Sequence, residues 1–290
     1  MTRNPVLFGM VHLRSSGHYT KVTLESFFKH TKLDDKDSFI IIDNDLSFSD
    51  VGFKHEKIKV ITNKTPLPFS KNANFLMAQA LDHKQDIFLL NNDIIFSKDW
   101  FLPFESPIRA IRLPVSNAQY QYKKNKLNLQ MSMKLEDYLG SERELEEIAD
   151  SHVMHHQGMK LVHTAPYYCV NIPYSVLSAV GFFDEQFVPA GWEDTDYSVR
   201  SYIENIPIYY VLNSYVLHFY GKSTWSVDNE IPSKVPKDIE SAKLFEKKWG
   251  LNVARLFGYQ SPELLTYMEE RLQRASILEI GKMIQSLRTM

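Results

Sequence analysis

The first 90 residues alternate short apolar runs with amphipathic helical stretches, and this alternation limits the fold more than any other feature of the chain. Residues 23–30 and 72–81 have apolar side chains at helical spacing. The apolar runs around them are short enough to be buried strands, and they occupy residues 6–11, 38–42, 58–62 and 87–90. Strands separated by helices usually pair in parallel and are covered on both faces. We therefore expect an α/β fold with a mostly parallel, Rossmann-like central sheet flanked by helices.

The rest of the chain continues this sheet and adds helices. Further strands are predicted at 110–115, 161–169 and 207–217. Residues 119–160 look like an insertion, plausible as a flap over an acceptor, and within it residues 135–149 form an acidic stretch with apolar residues at roughly helical spacing. We expect one large domain at residues 1–250 and a C-terminal helical extension at 251–290. The extension would pack on the domain or form a contact between copies in an oligomer.

Composition fits a globular protein and excludes a global attraction to polyanions. The chain has 290 residues, of which 44% are hydrophobic, and it carries 33 basic against 35 acidic residues for a net charge of −2. The single cysteine, Cys169, suits a reducing compartment and is interpreted as a buried strand residue. No apolar run approaches the ~18–20 residues of a membrane span. We expect a cytoplasmic protein, either free or resting on a membrane face.

Polar residues follow the predicted strands at the edge where α/β sheets bind ligands. Asp43-Asn44-Asp45 follows the second strand, and Asn91-Asn92-Asp93 follows the fourth. Carboxylate and amide oxygens there could hold a hard divalent cation, which would neutralise a diphosphate. The same residue types are also common in turns, so neither triplet decides the matter alone.

Three acids crowd the start of a predicted helix. Glu193, Asp194 and Asp196 lie within four positions after Gly191-Trp192. The helix dipole stabilises acids at this place, so a capped helix N-terminus explains them without any function. An ionised carboxylate is also what a general base toward a sugar hydroxyl requires.

A third polar segment follows the last predicted strand. His218 is followed by Gly221, Lys222, Ser223 and Thr224. A neutral imidazole can complete a metal site, and a lysine with two hydroxyls can hold phosphate oxygens. Taken alone, a histidine at a strand end is more often structural.

The order and spacing of these segments resemble the family 2 glycosyltransferases, which are inverting enzymes of GT-A fold. Asp43-Asn44-Asp45-Leu46-Ser47 is similar to the family's Asp-Asn-x-Ser, and Leu90 to Asp93 is similar to its Leu-Asn-x-Asp. The other similar segments are the Asn-rich helix at 72–78, Trp100, Leu113-Pro114-Val115-Ser116-Asn117, the Gly-Phe-Phe-Asp-Glu of 181–185, Glu193-Asp194-Thr195-Asp196-Tyr197 with Arg200, His218 with Gly221 and Thr224, and the Phe-Glu-Lys-Lys-Trp-Gly of 245–250. The resemblance spans about residues 5–250.

The resemblance implies a role for each matching residue. Asp194 would be the general base, with Glu193 orienting it or the acceptor. Asp93 and His218 would ligate Mn²⁺ or Mg²⁺, with Asn91 in the first place of the usual Asp-x-Asp and able to contribute only an amide oxygen. Donor contacts would come from Asp43, Asn74, Asn92, Lys222, Ser223 and Thr224.

The partners that the resemblance implies are a nucleotide-sugar donor and an acceptor. The donor could be a UDP-, dTDP- or GDP-sugar. The acceptor could be a glycan, a lipid-linked saccharide, a protein or a modified nucleobase, because variable loops recognise it. The C-terminal helices could join copies into a homo-oligomer.

Three other functions remain open. Asn91 would also suit a nucleotide-sugar-binding protein that has lost catalysis. A nucleotidyltransferase shares the sheet type, although residues 9–14 lack the Gly-rich loop that would hold a triphosphate. A zinc protein could use His152, His155, His156, His163 and Cys169, which lack a repeated ligand pair.

Overall fold

The computed structural model describes residues 3–116, 134–188, 191–219, 234–258 and 262–288. Over these residues the chain forms a mixed α/β structure with one sheet. Its strands are β1 (Val6–His12), β2 (Ser38–Asp43), β3 (Ile58–Thr62), β4 (Asp86–Leu90), β5 (Ile94–Phe96), β6 (Ile111–Ser116), β7 (Met159–Val162), β8 (Cys169–Ile172) and β9 (Ile208–His218).

Helices cover both faces of this sheet. They are α1 (Gly17–His30), α2 (Phe69–Asp82), α3 (Leu135–Gly140), α4 (Glu142–His155), α5 (Tyr174–Val180), α6 (Glu193–Ile203), α7 (Lys234–Trp249), α8 (Leu251–Phe257), α9 (Pro262–Arg274) and α10 (Ile277–Arg288). The α/β class expected from the sequence is confirmed.

The sheet is parallel in its first half and mixed in its second. Its order is β3-β2-β1-β4-β8-β6-β9-β5, and β7 pairs with β9 beside this path. β1, β2, β3 and β4 run in parallel, as expected from the helices between them. β8 is antiparallel to both β4 and β6, β9 is parallel to β6, and β5 is antiparallel to β9.

Two predicted elements have different boundaries in the structure. The single strand predicted at 161–169 was wrong: β7 and β8 are separate strands, because Pro166 lacks the N–H that a continuous ladder needs. The acidic stretch at 135–149 is helical as predicted, but it is divided between α3 and α4 at Ser141. The two short elements β5 and α5 were not predicted.

The core lies on both sides of the sheet. One cluster packs α2, α5, α6 and the C-terminal helices on one face. A second cluster fills the space between the sheet and α1 with aromatic rings, among them Phe8, Phe27, Phe39, Phe88 and Trp100. Cys169 is fully buried in β8, as expected, and burial raises the pKa of its thiol well above the ordinary value.

The C-terminal helices share the core of the preceding residues. Val253 and Phe257 of α8, Met268 of α9, and Ile280 and Ile284 of α10 are buried in the cluster that also holds α6. Part of the predicted insertion is packed as well, since Leu145 of α4 is buried with residues of β9. Across the described residues, no helix combines the length and apolar character needed to cross a bilayer.

Candidate active site

The predicted site segments meet at one edge of the sheet. β1, β2 and β4 end there at His12, Asp43 and Leu90. The antiparallel pairing of Leu90 with Cys169 brings the start of β8 to the same edge. The pairing of Ile94 with His218 brings the start of β5 and the end of β9 there too. Sequence-distant polar residues therefore converge because the strands that precede or follow them are neighbours.

Asp93 and His218 face each other across this edge. Asp93 directly precedes β5, and His218 is the last residue of β9. The Nε2 atom of His218 lies 3.2 Å from Oδ1 of Asp93, and both side chains are buried. The Phe219 N–H donates to the Asp93 carbonyl oxygen at 3.0 Å, which continues the ladder past Ile94. The pair predicted from the sequence is thus formed.

The third predicted metal ligand, Asn91, also reaches this pair. Its Nδ2 atom lies 3.4 Å from Nε2 of His218, and its backbone N–H donates to the Tyr168 carbonyl oxygen at 2.8 Å. A carboxylate, an imidazole and an amide therefore converge on one point, and an amide can present either its nitrogen or its oxygen. This donor set fits Mn²⁺ or Mg²⁺.

A second cluster of metal-type side chains lies beside Asp43. Ligand atoms of His12, Asp43 and Asp45 all lie within 4.8 Å of one another. Both ring nitrogens of His12 are already hydrogen bonded, Nδ1 to Thr20 Oγ1 at 2.9 Å and Nε2 to Ser47 Oγ at 3.1 Å. Burial lowers the pKa of His12 despite the nearby carboxylates.

Three carboxylate oxygens of this second cluster accept hydrogen bonds as well. Asp43 Oδ1 accepts the Ser47 N–H at 2.9 Å, Asp45 Oδ2 accepts the Arg14 N–H at 2.8 Å, and Asp45 Oδ1 accepts the Ser47 hydroxyl. These hydrogen bonds hold the loop after β2 in place. The His12 cluster and the Asp93–His218 pair are both candidate cation sites.

The predicted donor-binding amides Asn74 and Asn92 make structural hydrogen bonds. Asn92 is buried and donates to Ser16 Oγ at 2.7 Å and to Thr20 Oγ1 at 3.0 Å, which ties the Asp93 segment to α1. Asn74 exchanges two hydrogen bonds with the backbone of Phe183, at 3.0 and 2.8 Å. Their donor contacts stay predictions.

The acids of α6 follow a constrained turn. Gly191 and Trp192 both have positive φ angles, 103° and 73°. Glu193 is buried and its Oε2 accepts the Gly191 N–H at 2.5 Å. Burial, with the neighbouring Asp194 charge, raises the pKa of Glu193 to about 8. This shift favours the protonated form of Glu193 near neutral pH.

Asp194, the acid next to Glu193, is half-buried. Its Oδ1 accepts the Thr195 N–H at 2.7 Å and the Thr195 hydroxyl at 3.3 Å. Burial raises the pKa of Asp194, while hydrogen bonds from Thr195 and from the Tyr167 backbone lower it. A carboxylate with a raised pKa that is still held by N–H donors suits a general base near neutral pH.

The third acid of the motif, Asp196, has a structural role. It is fully buried and accepts hydrogen bonds from Arg200 Nε at 2.9 Å and Trp249 Nε1 at 2.8 Å. Lys248 Nζ lies 2.6 Å from Asp196 and 2.7 Å from Asp184. This network joins α6, the 181–185 loop and the end of α7.

One short segment connects the two halves of the site. The Tyr167 backbone lies near the Asp194 carboxylate and lowers its pKa. The next residue, Tyr168, stacks its ring on His218 with the centroids 5.0 Å apart, and its carbonyl oxygen accepts the Asn91 N–H. Asp194 and the Asp93–His218 pair therefore border the same segment.

Some predicted site residues lie outside the described residues, and some residues at the site were not predicted from the sequence. Lys222, Ser223 and Thr224 lie outside the described residues. Sequence reasoning missed His12, Tyr168 and the Lys248 network. A lone histidine or tyrosine at a strand end gives no signal of its own. Within the described ranges, the histidines of the zinc hypothesis form no three-ligand cluster.

The buried proton on Glu193 should make stability depend on pH. The unfolded side chain titrates near its ordinary pKa of 4.5, whereas the folded one titrates near 8. Between these values the folded state binds more protons, so stability should fall as pH rises, by about 1.4 kcal/mol per pH unit at most. Urea unfolding of Glu193→Gln between pH 5 and 8 should show a flatter dependence than the wild type.

The matched control for this measurement is Glu204→Gln. Glu204 is exposed at the far end of α6, so its removal should leave the wild-type pH dependence unchanged. An unchanged slope in Glu193→Gln would mean that Glu193 does not retain its proton in the folded state.

Two solved structures with a similar fold are glycosyltransferases. Crystallised GalNAc-T7 with UDP, GalNAc and Mn²⁺ matches at 12% identity and a TM-score of 0.60, covering 99% of this chain and 55% of that one. This chain thus spans about half of the GalNAc-T7 chain. The mannosyltransferase PcManGT from Pyrobaculum calidifontis, in complex with GDP-Man and Mn²⁺, matches at 10% identity and a TM-score of 0.51, covering 99% and 85%.

These identities establish the fold alone. No protein-family model and no curated protein sequence matches the chain significantly. The structural likeness confirms the GT-A glycosyltransferase fold that the sequence resemblance implies.

Proposed function

We propose that this protein is an inverting, divalent-metal-dependent glycosyltransferase of the family 2 type. It moves a sugar from a nucleoside-diphosphate sugar to an acceptor hydroxyl. The observation that carries the proposal is the arrangement at the sheet edge: the Asp93–His218 pair and the Asp194 carboxylate border the same segment, Tyr167–Tyr168.

Asp93, His218 and Asn91 would hold the cation. When bound, Mn²⁺ or Mg²⁺ neutralises the negative charge that grows on the departing diphosphate. Lys222, Ser223 and Thr224 follow His218 closely in the chain and are proposed to contact the same phosphate oxygens. Asp43 would accept a hydrogen bond from the base or ribose, since the loop after β2 is held by His12 and Ser47.

Asp194 would act as the general base. Its carboxylate takes the proton of the acceptor hydroxyl, and the hydroxyl oxygen bonds to the anomeric carbon. The bond from that carbon to the phosphate oxygen breaks, and its electron pair leaves on the nucleoside diphosphate. The raised pKa of Glu193 favours its protonated form, which would add no second negative charge beside Asp194 and could donate a hydrogen bond.

Binding of nucleotide sugars is the direct test of the donor class. UDP-, dTDP- and GDP-sugars would be screened by thermal shift with and without Mn²⁺. The true donor at about 100 times its Kd should stabilise the protein by about 2.7 kcal/mol, because it binds only the folded state. We expect one nucleotide to stand out and its effect to need the metal.

Turnover then separates the proposal from its rivals. The stabilising donor should be slowly hydrolysed without acceptor, and with acceptor it should give a product of inverted anomeric configuration by NMR. Donor binding without any hydrolysis or transfer would support a nucleotide-sugar-binding protein. Pyrophosphate release from a nucleoside triphosphate would support a nucleotidyltransferase, and no response to any nucleotide would refute the proposal.

A further inference from the structure

Trp192, the residue before the two site acids, has a backbone conformation that bulky side chains rarely adopt. Its φ and ψ angles are 73° and −11°, in the left-handed region, and it caps the start of α6. Such a conformation costs on the order of 1–3 kcal/mol and persists only where the surroundings enforce it. Something in the structure must therefore hold the Trp192 side chain in place.

The indole of Trp192 is held by the C-terminal part of the chain. Its ring lies 5.3 Å from that of Phe245 in α7, measured between centroids. It also lies against Gly258, which ends α8. A Cβ atom on Gly258 would overlap Cζ3 and Cη2 of the indole and come within 3.1 Å of Cε3.

Gly258 is required here for space and not for its backbone conformation. Its φ and ψ angles, −100° and −54°, are open to any residue. The absent side chain leaves room for the benzo ring of Trp192. We call this the indole–glycine contact.

The indole–glycine contact acts on the acids through the turn at 191–193. The Trp192 carbonyl oxygen accepts the Asp196 N–H at 2.9 Å and starts the helical ladder of α6. Glu193 in turn accepts the Gly191 N–H. Because Trp192 directly precedes Glu193 and starts this ladder, we expect a shift of the indole to displace Glu193 and Asp194.

We propose that Gly258 and Trp192 are positioning residues, through which the C-terminal helices set the placement of Glu193 and Asp194. The inference rests on the proposed function for its catalytic consequence. On this proposal, residues 251–258 help to position Glu193 and Asp194, in addition to packing on the domain.

Gly258→Ala is the first test. The added methyl should displace the indole, and a misplacement of about 1 Å at a reacting group can cost up to about 100-fold in rate. We expect kcat to fall at least tenfold while the KM for the donor stays within about twofold, since the Asp93–His218 end of the site is untouched.

Gly281→Ala is the matched control. Gly281 of α10 packs against the opposite end of α6, where a Cβ atom would lie 2.5 Å from the Tyr202 carbonyl oxygen. Both substitutions force a methyl group against α6 or its cap. Gly281→Ala should lower the urea midpoint without the selective loss of kcat. Gly140→Ala, where a Cβ atom meets nothing within 4 Å, controls for the substitution itself.

Trp192→Phe supplies the rescue. A phenyl ring lacks the outer atoms that the new methyl would meet, so Gly258→Ala should cost little in the Trp192→Phe background. This double variant also keeps the test open if Gly258→Ala alone does not fold. Equal losses of kcat in both backgrounds, or a Gly258→Ala enzyme with wild-type kcat, would overturn the proposal.

A measurement without turnover separates this inference from the proposed function. The Trp192 part of the fluorescence is obtained by subtracting the emission of the matching Trp192→Phe protein. Acrylamide should quench this part more strongly in Gly258→Ala than in the wild type. If the wild type transfers no sugar, the proposed function fails, but unchanged quenching is what would refute the indole–glycine contact.

Discussion

Replacing Asp194 with Asn is expected to lower the rate of sugar transfer about 10²–10⁴-fold, the usual contribution of a positioned general base. An amide cannot accept the hydroxyl proton, yet it keeps an oxygen for the Thr195 N–H that now lies 2.7 Å from Oδ1. The turn and the helix start should therefore survive. Steady-state kinetics at saturating metal should show a fall in kcat with a nearly unchanged KM for the donor.

Asp196→Asn is the informative comparison, because it changes a neighbouring acid of the same motif. Asp196 is fully buried and paired with Lys248 and Arg200, so its neutralisation removes the carboxylate from Arg200 and leaves Lys248 with Asp184 alone. We expect Asp196→Asn to lose stability, with a smaller effect on kcat of the folded protein. If Asp194→Asn loses donor affinity in parallel with rate, Asp194 has a structural role instead.

The first half of the fold could be predicted because local pattern and tertiary structure agree there. Each apolar run before residue 90 is a strand covered by a helix, so the hydrophobic periodicity alone predicts its secondary structure. In the second half the pattern is ambiguous. The run at 161–169 is apolar enough for one strand despite Pro166. In the structure β7 pairs with β9 and β8 pairs with β4 and β6, so the two halves of this run occupy different places in the sheet.

The proximity of two candidate site residues could be predicted because each belongs to a motif that adjoins the end of a strand. Asp93 and His218 are 125 positions apart, yet each adjoins a strand, and β5 pairs with β9. The positive φ of Trp192 left no such signal, because it depends on Gly258 and Phe245, which local sequence does not connect to it. The Lys248–Asp196 pair is equally non-local.

Replacing Asp93 with Asn is expected to weaken Mn²⁺ binding and to lower kcat about 10²–10³-fold, comparable to the loss of a preorganised group that stabilises developing charge. Among the described residues, Asp93 is the carboxylate that contacts His218, so an amide at this position removes that negative charge from the proposed cation site. A higher Mn²⁺ concentration should restore part of the activity of Asp93→Asn. It should not restore the activity of Asp194→Asn, whose defect lies in proton transfer.

Two control variants make the Asp93 result specific to the cation site. Asp99→Asn changes an exposed carboxylate whose φ of 58° suits asparagine, so it should behave as wild type. Asp45→Asn changes the rival cluster around His12, so Mn²⁺ affinity should be unchanged if the cation binds beside Asp93. Free Mn²⁺ would be followed by electron paramagnetic resonance in the presence of the stabilising nucleotide. If Asp45→Asn weakens binding and Asp93→Asn does not, the cation belongs beside His12, and the charge on the diphosphate must be neutralised from the β1–β2 side of the sheet edge.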